Sequence, residues 1–215
     1  MHYLFEILPS LLAGTKLTLS IFGLTLLFSL PLGLVCALGR MTHFKILSSL
    51  LRFYIWLMRG TPLLLQLIFV FYGLPLLGTG IVLPRYTAAL VAFILNYTAY
   101  FAEIFRGGLQ AIDPGQVESA KVLRFNYWQT ITHIIAPQVM KIVIPSIGNE
   151  VINLIKDSSL VYVIGLGDLL RAGNVAASRD VTLVPLVMVG VIYLALTALF
   201  TKLLQKIEAY YGRWK

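Results

Sequence analysis

From Thr18 to Leu38 the chain runs twenty-one residues without a charged side chain, and Arg40 closes the run. About twenty apolar residues in an α-helix cross the ~30 Å hydrocarbon core of a bilayer. Inside lipid every backbone N–H and C=O must be satisfied within the segment, so a run of this kind admits a helix and little else. Comparable runs lie near Pro62–Leu77 (with a start as early as Tyr54 left open), Tyr86–Phe105, Ile142–Ile164 and Leu183–Leu204. They predict an all-α integral membrane protein with five transmembrane helices in one domain, residues 1–215. Leu8–Leu19, ahead of the first run, is helical in pattern but mixed, carrying Thr15, Lys16 and Thr18. Only 12% of residues are charged, where a soluble domain carries about 25%.

The net charge is +8, yet the basic residues are scattered between the apolar runs and form no patch of the kind that holds nucleic acid. They read as topology signals. Arg40, Lys45, Arg52 and Arg59 follow the first run, Arg106, Lys121, Arg124 and Lys141 the third, and Lys202, Lys206, Arg213 and Lys215 the fifth. Lys16, Arg85, Arg171 and Arg179 fall on the other side, twelve against four, with Lys156 inside the fourth run. The bias places the N-terminus outside and the C-terminus in the cytoplasm. The N-terminal stretch lacks a basic segment and a small-residue cleavage site, so it does not read as a removed signal peptide. Cys36 alone excludes an internal disulfide.

Between the third and fourth runs, about residues 107–140, the chain turns polar. Asp113-Pro114-Gly115 opens a helix, with Asp as the cap and Pro in the first turn. Val117, Ala120 and Leu123 follow at i, i+3, i+6, and a second helical segment runs from about Tyr127 to Pro137, where the proline is expected to stop or kink it. Two short helices at a corner present an apolar knob with a charged rim, suited to a groove on a cytosolic partner. The same pattern also suits an interfacial helix lying on lipid.

"ESAKVLRFNYWQTITHIIAP" resembles the signature loop of ABC importer permeases: Glu-Ala-Ala, three residues, Gly, nine residues, Ile, one residue, Leu-Pro. Here Glu118-Ser119-Ala120, Arg124 and Ile134-Ile135-Ala136-Pro137 keep that spacing. "FYIWLMRGTPLLLQLIFVFYGLP", "NYTAYFAEIFRGGLQAID" and "PSIGNEVINLIKDSSL" are similar to the branch that carries polar amino acids. The resemblance implies a permease in a bacterial inner or plasma membrane, paired with a second permease copy or paralogue. It further implies a cytosolic ABC ATPase dimer and an extracytoplasmic amino-acid-binding protein. The cytoplasmic coupling loop would engage the ATPase through Pro114, Gly115, Glu118, Ser119, Ala120, Arg124 and Pro137. Arg124 stands where the family has Gly, and Ala136 where it has Leu. A left-handed Arg124 would cost about 1–2 kcal/mol, so a right-handed turn is expected there, with the guanidinium meeting the partner. No GxxxxGK[ST] loop is present, so ATP and Mg belong to the ATPase. The chain is expected to bind no cofactor or metal and to have no catalytic residues.

Charged groups at membrane depth mark function by default. Asn96, Tyr100 and Glu103 recur at i, i+4, i+7 in the third run, and Glu150, Asn153 and Asp157 at i, i+3, i+7 in the fourth. Pro145 and Gly148 are expected to weaken the fourth helix. The two stripes predict a wet pocket between these helices, with carboxylates for an ammonium and amides for neutral hydrogen bonds. Arginine, lysine, histidine, glutamine and cystine all fit it. In a second reading Glu103 pairs with Arg106 or Arg59, and Lys156 with Asp157. A proton-coupled amino-acid carrier, with Glu103 and Glu150 as protonation sites, is the alternative function. Thr61-Pro62 reads as a helix cap and first turn, and Gln66 as helix glue. Tyr3, Trp56, Trp128, Tyr162, Tyr210, Tyr211 and Trp214 sit near the interfaces, where amphipathic rings belong. His2, His43 and His133 fall in connections.

Overall fold

The structure, a computed structural model, describes residues 2–78 and 80–212, apart from the side chains of His2 and Leu4. Arg213, Trp214 and Lys215 of the basic tail lie outside the described residues. Those residues hold helices and no strand. Four helices are long and apolar enough to cross a membrane, and a bent pair makes a fifth span if counted as one.

The first helix, α1 (His2–Arg40), takes in both the mixed stretch and the apolar run. Nothing between them breaks it. Ser10 and Thr15 donate their hydroxyls back to Ile7 O and Leu11 O at 2.7 Å each, so the polar side chains are satisfied by the helix itself. At 1.5 Å per residue α1 is roughly 58 Å long, well beyond one bilayer thickness. The helix therefore begins six residues ahead of the helical pattern read from Leu8.

α2 (Lys45–Gly60) and α3 (Leu63–Ile68) meet at 106°. A π turn, Phe69–Gly73, leads into α4 (Leu74–Leu76) with Pro75 in its first turn. After α5 (Arg85–Gln110) come α6 (Pro114–Val122) and α7 (Tyr127–Gln129). A second π turn, Thr130–Ile135, then runs into α8 (Ala136–Asp157). Of the two outcomes expected at Pro137, a stop or a kink, the stop is not formed: α8 runs on through it, with the π turn directly ahead. A proline lacks its N–H and crowds the carbonyl four residues back, and a widened turn just ahead of it relieves both, as at Pro75. Pro145 likewise sits within α8 without breaking it. A 3₁₀ segment (Ser158–Ile164), α9 (Leu169–Asp180) and α10 (Val184–Gly212) complete the chain.

α5 is the centre of the bundle, burying Ala88, Ala92, Phe93, Tyr97, Phe101 and Ala102. Its partner α1 comes close because Gly33 has no side chain: a Cβ there would stand 2.6 Å from Phe101 Cβ and 3.1 Å from Ala102 N. Small residues permit this approach where lipid supplies no hydrophobic drive between helices. α8 packs on the other side of α5 and against α10, whose outward face is apolar and exposed.

Candidate functional site

The bend between α2 and α3 is held by side chains. Thr61 Oγ1 donates to Leu57 O at 2.8 Å, closing the last turn of α2. Gln66 Nε2 donates to Thr61 Oγ1 at 2.8 Å and to Met58 O at 2.9 Å, while Asn96 Nδ2 donates to Met58 O at 3.1 Å and Gln66 Oε1 at 3.0 Å. Two amides thus take up carbonyls that a helix end leaves unpaired. Thr61 does not cap the following helix as its sequence position indicated. Pro62 holds that place, extended at φ −62° and ψ 135°.

Between this bend, α5 and α8 lies a cavity of about 380 Å³. Asn96 and Tyr100 line it from α5, Glu150, Asn153 and Asp157 from α8, and Thr61 to Leu64 from the bend. Five of the six residues picked out in the two stripes therefore share one space. Tyr97 joins them: its hydroxyl donates to Asp157 Oδ2 at 2.8 Å. The sequence signal for Tyr97 was slight, a phenol beside Asn96 in an apolar run. Among the described residues, no basic side chain lines this cavity.

Glu103, the sixth residue, lies outside it. Its carboxylate is in contact with Arg40 at the end of α1, accepts from Arg106 Nη2 at 2.7 Å, and stands 3.8 Å from Arg59 Nη1. Arg59 also lies over the Tyr100 ring, 5.4 Å from its centre. Pairing with Arg59 and Arg106 is the arrangement present, with Arg40 added, and Glu103 is not among the pocket residues.

In the polar insert Asp113 Oδ1 accepts from Gly115 N at 2.7 Å, and Pro114 opens α6. Glu118 and Ser119 are exposed, and Ala120 is fully buried. Phe125 N donates to Ala120 O and Arg124 N to Lys121 O, both at 3.0 Å. This 6→1 and 5→2 pair is the Schellman closure, which needs a left-handed residue between its two donors. Arg124 is that residue, at φ 57°. The expected right-handed turn is thus not formed. Asn126 and Gln129 then close a reciprocal capping box at 2.9 Å each way. Around this corner Val122 (83%), Leu123 (67%), Tyr127 (72%) and Trp128 (71%) are exposed, an apolar cluster on an otherwise polar insert. Pro137 lies apart from it, in the first turn of α8.

Residues 29–209 match the family described as binding-protein-dependent transport system inner membrane component. The arginine transport system permease protein ArtQ of Bacillus subtilis is 39% identical over 94% of this chain and 92% of its own length. The glutamine transport system permease protein GlnP of Escherichia coli is 34% identical over the same shares, 94% and 92%. A crystal structure of an amino acid ABC transporter with histidines superposes with a TM-score of 0.87, at 35% identity over 97% of both chains. The MetNI methionine ABC transporter in an inward-facing form, TM-score 0.73 over 99% of this chain and 100% of that one, is 17% identical and speaks for the fold alone. With its bent α2–α3 pair, central α5 and polar insert, this chain belongs to the family of binding-protein-dependent transport system inner membrane components.

Proposed function

We propose that the chain forms half of the membrane pathway of an ATP-driven importer for polar amino acids, and that the cavity between the bend, α5 and α8 receives the substrate. The observation that carries this is two carboxylates, Glu150 and Asp157, facing one 380 Å³ space with no basic side chain among its lining residues. One carboxylate suits an α-ammonium. The second favours a cationic side chain, so arginine and lysine rank ahead of glutamine and cystine. Asn96, Asn153 and Tyr100 offer neutral hydrogen bonds, and the first N–H groups after Pro62, at Leu63 and Leu64, suit the substrate carboxylate.

Ser146, Asn149, Asn153 and Lys156 form an exposed polar stripe along α8, which is costly against hydrocarbon. A second permease copy or paralogue across a wet pathway would meet it. The corner of Val122, Leu123, Tyr127 and Trp128 would seat in the cytosolic ATPase, so that closure of that subunit on ATP shifts the helices between inward- and outward-facing states. An extracytoplasmic binding protein would deliver substrate at the opposite end. In this reading five spans cross the membrane, with the N-terminus outside, the C-terminus inside, and ATP and Mg held by the partner. The proton-coupled carrier gains nothing from the relatives, which are permease proteins of transport systems.

The test is calorimetric binding of an amino-acid panel to the purified complex, repeated with Glu150→Gln and Asp157→Asn. Arginine affinity should fall roughly ten-fold or more in each, the scale of one charge-assisted pair. Affinity unchanged in both variants would remove the pocket from recognition.

A further inference from the structure

A second cavity, of about 400 Å³, lies between α1, α2 and α5, separate from the one assigned to substrate. Arg40, Arg52, Arg59 and Glu103 line it together with Ile55 and Trp56. Arg106 reaches the same Glu103 carboxylate. Three guanidinium groups therefore engage one carboxylate, and a fourth, that of Arg52, lines the same cavity. Arg40 and Arg106 hold that carboxylate closely and Arg59 stands farther off. Arg52 pairs with no carboxylate among the described residues, so the cavity keeps a clear positive excess.

The helix that brings Arg52 and Arg59 is built for a lipid boundary. Lys45, Arg52 and Arg59 recur every seven residues on one face of α2. Ile46, Leu50, Phe53 and Leu57 form an exposed apolar stripe on the next face. Trp56 joins the two: it lines the cavity, it is 67% exposed, and its ring lies 5.9 Å from that of Phe53. A ligand that satisfies this surface carries a compact anion at one end and hydrocarbon at the other.

We propose that the cavity binds the phosphate headgroup of an anionic phospholipid. The phosphate oxygens sit between the forks of Arg52 and Arg59, geometry that guanidinium matches in pairs of hydrogen bonds, and the acyl chains lie along Phe53 and Trp56. Free phosphate shares the headgroup chemistry but leaves the apolar wall uncovered.

The experiment uses the full chain in the complex with which it purifies, placed in phosphatidylcholine nanodiscs doped with phosphatidylglycerol, with retained lipid counted by native mass spectrometry. Arg52 is exposed, so Arg52→Gln should fold. It should retain roughly ten-fold less phosphatidylglycerol, the scale of one charge-assisted pair, with phosphatidylcholine unchanged. Glu103→Gln, which removes the competing carboxylate, should retain more than the parent. Lys206→Gln on α10 should match the parent. Equal retention in the parent and Arg52→Gln overturns the proposal. Displacement of phosphatidylglycerol by millimolar inorganic phosphate would assign the site to a free anion and overturn the lipid.

Discussion

The Tyr97 hydroxyl donates to Asp157 Oδ2 at 2.8 Å, joining α5 to α8 in the wall of the candidate substrate cavity. Tyr97 is itself 2% exposed, so this bond fixes one oxygen of a carboxylate whose residue lines the space. The phenol thereby acts as a positioning group. Tyr97→Phe removes the bond and keeps the ring. A hydrogen bond to a charged group is worth about 1.5–3 kcal/mol, and thermal unfolding of the complex should register a loss on that scale. Arginine affinity should fall with it, while Tyr97→Trp, which keeps a donor but not the reach, should not restore it. A Tyr97→Phe complex with parental melting and parental affinity would reduce the contact to packing.

Glu103 separates the two carboxylate roles. Bound among Arg40, Arg59 and Arg106, it joins the C-terminal ends of α1, α2 and α5. Glu103→Gln strands guanidinium groups that are about a fifth to a half exposed, so the penalty is softened by water, to about 1–3 kcal/mol. Thermal stability should drop while amino-acid affinity stays at the parental value. The converse, intact melting with lost affinity, would return Glu103 to the substrate pocket.

Arg124 carries a backbone strain that its neighbours impose. The Schellman bonds from Phe125 N and Arg124 N need φ > 0 at this residue, and an L side chain there costs about 1–2 kcal/mol relative to glycine. Part of that is offset by the greater freedom a glycine loses on folding. Arg124→Gly should raise stability by about 1 kcal/mol, read as an upward shift in melting of the complex. Should Arg124→Gly lower the melting point, the guanidinium must be making a contact that outweighs the strain.

How much of this was written in the chain differs from place to place. The apolar runs were legible because lipid leaves a helix as their one solution, and the polar stripes because a 3.6-residue period puts Asn96 and Tyr100, or Glu150, Asn153 and Asp157, on a common face. Glu103 shares that period, yet its fate depended on Arg40 and Arg59, sixty-three and forty-four residues upstream. No local pattern reports such a meeting. Arg124 misled because side-chain preference argued for a right-handed turn, while the burial of Ala120 and the bond from Phe125 required the opposite. Thr61 fitted a cap by position, and its hydroxyl turned instead to the carbonyl four residues behind it.

Asp168 supplies a pH test at the far end of the bundle from the insert. It caps α9, accepting from Leu170 N at 3.0 Å and Arg171 N at 3.2 Å, and it is fully buried. Burial pushes its carboxyl up to about 6 from the ordinary 3.8, against the pull of those backbone donors. Between these values the folded protein binds the proton more than the unfolded chain does. This group's share of stability is therefore highest below pH 4, declines as pH rises through the window from about 4 to about 6, and is flat above it. Asp168→Asn keeps an acceptor for the helix N-terminus without the ionisation. Melting curves of the parent and Asp168→Asn should diverge across that window, the variant gaining relative to the parent as pH rises, and run parallel from pH 7 to 8. Gly14 gives an independent check on the same contact, since a Cβ there would stand 2.7 Å from Asp168 O. Gly14→Ala should push α9 from α1 and destabilise the protein at every pH. Parallel curves for the parent and Asp168→Asn from pH 4 to 8 would show that the buried carboxyl titrates at its ordinary value.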